Sequence, residues 1–126
     1  MKLKRIHNVY FVGIGGIGMS AIARYFAANG KKVAGYDKTP SQITLDLEEL
    51  GVEIHFEDDI KNIPISFLDT DKTLVVYTPA IPENHSEYNY FLENDFTILK
   101  RSEILGKITE STFCLAVAGT HGKTTT

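Results

Sequence analysis

The sequence predicts an α/β protein, a single parallel sheet with helices on both faces. Three observations lead there. Apolar runs of strand length alternate with helical patterns along almost the whole chain, the signature of βαβ units. The first run, Val9-Tyr-Phe-Val-Gly-Ile14, is followed at once by a glycine-rich loop. The second run, Val33-Ala-Gly-Tyr36, ends at an acidic residue, Asp37.

The elements follow in order. Val9–Ile14 reads as the first strand, and the Ala-rich stretch Ile17–Asn29 as a helix stopped by Gly30, since glycine enters the left-handed region that closes a helix. After the strand 33–36, a second helix runs from an N-capping Ser41 to Leu50 and closes at Gly51, with Ile43, Leu47 and Leu50 on its apolar face. Val52–Phe56 alternates as a third strand, and Glu57–Pro64 is a polar segment with room for one helical turn. Thr73–Tyr77 is a strongly apolar fourth strand ended by Pro79 and Pro82. A short helix Ser86–Asn94, a fifth strand Thr97–Leu99 and a helix from Ser102 to about Thr109 complete the first unit. Phe113–Val117 reads as a further buried strand, with Cys114 as a structural thiol inside it.

Composition narrows the function classes. The chain has 126 residues, 43% hydrophobic and 23% charged, with a formal charge of −3. That is ordinary for a globular domain, and the scattered basic residues leave no footprint for nucleic acid. A lone cysteine excludes an internal disulfide. Met1–Arg5 followed by apolar residues up to Ser20-Ala-Ile-Ala23 has the outline of a secretion signal. Four glycines inside the stretch, and His7 and Asn8 at its start, argue against that reading. No run approaches the ~20 apolar residues of a membrane span, and the expected location is the cytoplasm.

Two glycine loops carry the chemistry. Gly13-Ile-Gly15-Gly-Ile-Gly18 fits G-x-G-x-x-G between a strand and a helix, with Asp37 about 20 residues further on. Gly13 permits the tight turn, Gly15 lets backbone approach a pyrophosphate, and Gly18 lets helix pack on strand. Free amides at the helix start then face phosphate, and Asp37 accepts from a ribose hydroxyl. This is the arrangement of a Rossmann-like sheet. A nicotinamide or flavin dinucleotide and a sugar nucleotide with a diphosphate satisfy it equally. The second loop, Gly119-Thr-His-Gly122-Lys123-Thr124, holds the Gly-Lys-Thr core of a triphosphate site, although Val117 stands where the usual spacing puts the first glycine. Its amides can cradle phosphates, Lys123 can reach the β and γ oxygens, and Thr124 can offer a hydroxyl to Mg²⁺. A dehydrogenase module has no use for it.

Four blocks, Val12–Ala23, Thr78-Pro-Ala-Ile-Pro82, Lys100-Arg-Ser-Glu-Ile-Leu105 and Ala118-Gly-Thr-His-Gly-Lys-Thr-Thr125, together resemble the Mur ligases. The likeness is to the branch that adds L-alanine to UDP-N-acetylmuramate for peptidoglycan, the cell-wall polymer. It implies a Rossmann-like UDP-sugar domain over residues 1–111, and over 112–126 the first strand and phosphate loop of a central ATPase domain. It implies ATP and Mg²⁺ as the requirements of the full enzyme, with an acyl phosphate formed on the sugar's carboxylate before alanine attacks. By position, Gly15, Gly16, Ile17 and Gly18 would contact the diphosphate and Asp37 the ribose. Thr78, Pro79, Ala80 and Ile81 would shape the loop under the nucleotide, with Arg101 and Glu103 beside the substrate. Gly119, Thr120, His121, Gly122, Lys123, Thr124 and Thr125 would hold ATP, Lys123 and Thr124 doing the catalytic work. The family's loop has the shorter form, which accounts for Val117.

The likeness has limits. Glu57-Asp58-Asp59 follows the third strand where many members carry a histidine near the substrate. His85 reads as a solvated loop residue, and Arg101 could instead pair with Glu103 or Glu110 at the surface. Two alternatives stay open: the branch that recycles murein peptides, whose first loop is less regular in glycine, and a stand-alone NAD or FAD module. A chain of this extent is expected to bind UDP-N-acetylmuramate without ligating it, and its final strand could pair with a second copy.

Overall fold

The computed structural model describes residues 6–79, 81, 82, 84–104 and 106. Strands β1 (Asn8–Val12), β2 (Lys32–Tyr36), β3 (Glu53–His55), β4 (Thr73–Tyr77) and β5 (Thr97–Lys100) form one sheet in the order β3-β2-β1-β4-β5. Every pairing is parallel. Helices α1 (Ile17–Ala28), α2 (Gln42–Glu49) and α3 (Ser86–Glu93) form the connections, with 3-10 turns at Ile60–Asn62 and Ile65–Leu68. The expected Rossmann-like α/β class is what the chain adopts.

Central β1 is buried along its whole length, as a parallel strand covered on both faces must be. Its side chains alternate between two cores. Val9 and Phe11 join Ile22 and Phe26 of α1, Leu47 of α2 and Leu74 and Val76 of β4. Tyr10 and Val12 join Phe67, Val75, Phe91 of α3 and Phe96. Crossovers in parallel sheets are right-handed. Strands added leftward through α1 and α2, then rightward through α3, therefore put their helices on opposite faces.

Turn chemistry explains most boundaries. Gly30 and Gly51 close α1 and α2 with φ of +81° and +95°. Ser41 caps α2 reciprocally with Thr44: the Ser41 amide donates to Thr44 Oγ1 at 2.9 Å and the Thr44 amide to Ser41 Oγ at 3.4 Å.

Two expectations need correction, and one element was not expected. The first strand ends at Val12, because Gly13 turns the chain at φ +97°. Leu50 is 58% exposed; α2 buries Thr44 and Leu47 instead, so its inward face is narrower than its apolar spacing suggests. The turn at Ile65–Leu68, which plants Phe67 in the second core, has no apolar period to announce it. Residues 101–104 are helical. The expected strand 113–117, Cys114, the division at 111/112 and the second glycine loop lie outside the described residues.

Candidate functional site

Strand order reverses between β1 and β4. In open parallel sheets the crevice outside the carboxyl ends of such strands is where ligands bind. The loops that leave β1 and β4 meet there. A Cβ on Gly13 would lie 2.8 Å from Thr78 Cγ2 and 3.4 Å from Ile81 Cδ1, so the loop after β4 leans directly on the glycine turn. Backbone bonds fix that turn to β2, with the amides of Gly13 and Ile14 both donating to the Tyr36 carbonyl, at 2.8 and 2.9 Å.

Asp37, immediately after β2, holds the loop by its side chain. Its Oδ1 accepts from the Gly15 amide at 3.0 Å and its Oδ2 from the Thr39 amide at 3.1 Å. Gly15 is obligatory for this contact, since a Cβ there would sit 2.8 Å from the carboxyl carbon. Each carboxylate oxygen keeps a further acceptor direction, which a ribose hydroxyl can use.

α1 then begins without a cap. Gly16 occupies the N-cap position, no side chain accepts from the first amides, and the first turn has no acidic residue. The orphan donors of a helix start, together with the positive end of its dipole, make this a place for an anion. Arg101 reinforces it. A Cβ on Gly18 would fall 2.7 Å from Arg101 Nη1, so the side chain lies across the first turn of α1. The bare Cα of Gly18 gives the arginine room for this position. Ile17, the residue before Gly18, is 82% exposed.

Beside the turn opens a cleft of about 410 Å³ lined by Gly13, Tyr36, Asp37, Lys38, Asp58, Ile81, Pro82, Asn84 and His85. A second cavity of about 330 Å³ lies at the opposite ends of β2 and β3, between Lys31, Val33, Glu53 and Phe67. It contains no glycine-loop residue, and it has no chemistry to match the first.

The cleft floor was illegible in sequence. Asp58 reaches the start of α3, its Oδ2 accepting from the Ser86 amide at 2.7 Å and its Oδ1 from the Glu87 amide at 3.0 Å. Glu87, fully buried, returns the contact by accepting from the Asp59 amide at 3.2 Å. Its carboxylate also takes the Tyr10 hydroxyl, and His55 Nε2 lies 2.7 Å from its Oε2. Burial, and next the Glu87 carboxylate, push the Tyr10 phenol well above its ordinary value. Burial followed by Asp58 and Glu87 raises Tyr36 in the same direction.

His85 is not a solvated loop residue. It is 4% exposed, occupies the N-cap position of α3 and meets Asp58 at 3.2 Å. The signal available was an acidic run after β3 combined with His-Ser ahead of a helix.

Of the expected substrate residues, the fold brings Gly13, Gly15, Gly16, Ile17, Gly18, Asp37, Thr78, Ile81 and Arg101 to one edge of the sheet. Pro79 is exposed on the same loop. Glu103 has a local task, accepting from the Lys100 amide at 2.8 Å at the start of the helix over 101–104. Among the described residues Arg101 has no ion pair with it. Ala80 and the ATP-loop residues Gly119, Thr120, His121, Gly122, Lys123, Thr124 and Thr125 lie outside the described residues. Also among the described residues, no cluster of three His, Cys, Asp or Glu side chains could hold a metal, and no helix is long and apolar enough to cross a membrane.

Comparison with known proteins gives this edge a family. UDP-N-acetylmuramate–L-alanine ligase of Flavobacterium psychrophilum is 64% identical over 126 residues, all of this chain and 28% of that protein. The chain thus spans under a third of the curated relatives it matches. The crystal structure of UDP-N-acetylmuramate-alanine ligase from Thermotoga maritima superposes with a TM-score of 0.74 at 31% identity, covering 82% of this chain and 23% of that one. A ligase from Neisseria meningitides that acts with UDP-N-acetylmuramate and a tripeptide, at 17% identity and TM-score 0.67 over 81% of this chain and 31% of its own, shares the fold. The model of the Mur ligase family, catalytic domain, matches residues 8–112. The extent of that match settles the membership: this chain belongs to the Mur ligase family.

Proposed function

We propose that the chain is the UDP-N-acetylmuramate-binding part of a cytoplasmic, ATP-dependent ligase that joins L-alanine to that sugar nucleotide during peptidoglycan precursor synthesis. The observation that carries the reading is the uncapped start of α1 with Arg101 laid across it, at the point where strand order reverses. A diphosphate supplies the charge this position lacks. The relatives' names supply the rest of the molecule.

In this reading the amides of Gly16, Ile17 and Gly18 donate to the diphosphate and Arg101 neutralises it. Asp37 accepts from the ribose, and Thr78 and Ile81 support the glycine turn from below. These residues bind and orient; they do not carry the chemistry. Bond making belongs to the triphosphate loop. There the lactyl carboxylate takes the γ-phosphoryl group of ATP, the amine of L-alanine attacks the acyl carbon, and phosphate leaves as the amide forms. The residue types suit that work: Lys123 is a cation for the transferring phosphoryl group, and the Thr124 hydroxyl is a hard oxygen donor for Mg²⁺. Residues 112–126 accordingly open the ATP-binding part, and residues 1–111 form the sugar-nucleotide part.

Calorimetric titration with UDP-N-acetylmuramate, UDP and NAD tests the reading. Saturable binding of the first two and silence with NAD is the expected result. Tight NAD binding with no response to either uridine compound overturns it.

A further inference from the structure

Among the described residues one buried side-chain polar atom has no partner, Nε2 of His85. The ring nonetheless lines the cleft together with Tyr36, Asp37 and Lys38. Buried polar atoms are nearly always paired, and an orphan calls for a reason.

The other ring nitrogen is already used. Nδ1 lies 3.2 Å from Asp58 Oδ1 and 3.4 Å from the Tyr88 amide nitrogen. It cannot donate to the first and accept from the second at once. Asp58 is the nearer and the charged neighbour, and backbone amides of Ser86 and Glu87 hold its carboxylate in place. The proton therefore sits on Nδ1, directed at Asp58, and Nε2 is left as a bare acceptor. The ring cannot swing away easily. Tyr36 packs edge-on against it, with centroids 4.6 Å apart at 67°, and Asp58 is itself locked to α3. This is a rigid imidazole whose unused acceptor lies just behind the wall of a nucleotide-sized cleft.

We propose that His85 reads the base of the bound nucleotide, its Nε2 accepting the imide N3–H of uracil. The inference rests on the cleft being the uridine diphosphate site. With the diphosphate at the start of α1 and the ribose at Asp37, the remaining cleft wall, Tyr36 and His85, is left for the base. The chemistry is selective. Uracil offers a donor at N3 where cytosine offers a lone pair, which would oppose Nε2 and leave two acceptors facing each other. Water does not reach Nε2, so docking must open the last contact over the ring as it brings the donor.

The test titrates uridine 5′-diphosphate, its N3-methyl derivative and cytidine 5′-diphosphate into the chain and into His85→Ser. Serine is a good helix cap but too short to reach a base. The unaltered chain should bind the uridine compound roughly tenfold tighter than either analogue. In His85→Ser that preference should vanish, whereas a purely structural histidine would weaken all three together. Equal binding of the three by the unaltered chain, the result expected if Nε2 instead serves a ribose hydroxyl, overturns the proposal. So does an undiminished preference in the variant. Should the variant fail to fold, nitrogen NMR of the unaltered chain decides. The His85 Nε2 resonance should move on saturation with the uridine compound and stay with its N3-methyl derivative; an unmoved resonance in the saturated protein overturns the proposal. Failure of the underlying reading looks different, because no amide of Gly16, Ile17 or Gly18 would then respond to any of the three.

Discussion

Two helices begin at the same edge of this sheet, and their first turns are opposites. α3 starts closed: a carboxylate 28 residues away in sequence accepts from its first amides, and His85 occupies the N-cap position with its ring against that carboxylate. α1 starts open, with a glycine cap, no side-chain acceptor and no acid in its first turn. Capping a helix contributes about 1 kcal/mol, and the chain takes that gain at α3 and at α2 but forgoes it at α1. The difference separates a helix start that serves the fold from one reserved for a ligand. The two are also linked. Asp58 and His85, the N-cap residue of α3, both line the cleft, so the closed start helps to build the pocket beside the open one.

The comparison can be broken most severely on the closed side. Glu87→Ala strips partners from the Tyr10 hydroxyl, His55 and the Asp59 amide, all facing a fully buried position. Stability should drop by about 3 kcal/mol, read as a lowered denaturant midpoint with unchanged slope. A loss below about 1 kcal/mol would mean the network is solvated and the closed start is not a structural lock. Asp58→Ala removes the long-range cap and the carboxylate beside His85 Nδ1. It should cost about 1–2 kcal/mol and weaken uridine diphosphate binding through the displaced wall, as calorimetry would register.

A smaller effect lies in pH. Burial raises the Tyr10 phenol above its ordinary value of 10.0. The folded chain then keeps a proton that the unfolded chain releases. Stability from this group is complete below pH 10 and declines as pH climbs past it. Tyr10→Phe should flatten that alkaline decline while lowering stability at neutral pH, where Glu87 loses a donor. An alkaline slope identical in both proteins would assign the decline elsewhere.

Much of the open region was legible and little of the closed one. Glycine spacing, the flanking strand and Asp37 are local features, and local rules read them. Ser41, Gly30 and Gly51 likewise punctuate helices in the residues beside them. Glu87 reads as an ordinary surface acid on an eight-residue helix, yet it is buried because Tyr10, 77 residues earlier, lies opposite it. Asp58 and His85 become partners only once β3 and α3 are neighbours. Even within the legible loop one neighbour was out of reach of local rules, since Arg101, on a distant element, lies against Gly18. Leu50 errs the other way, apolar by pattern and exposed because α2 rests on Thr44 and Leu47.

The most direct measurement makes α1 resemble α3. A Cβ on Gly16 would meet nothing closer than 3.9 Å, and its φ of −69° suits any residue. Gly16→Asp therefore adds a cap and a negative charge without strain. Thermal unfolding and calorimetric titration with UDP-N-acetylmuramate should be run on the same preparation. Stability equal to or a few tenths of a kcal/mol above the unaltered chain, with affinity reduced at least about tenfold by carboxylate against diphosphate, is the expected pair of results. Undiminished affinity in a folded Gly16→Asp chain would contradict the claim that the open start of α1 is the ligand's anchor.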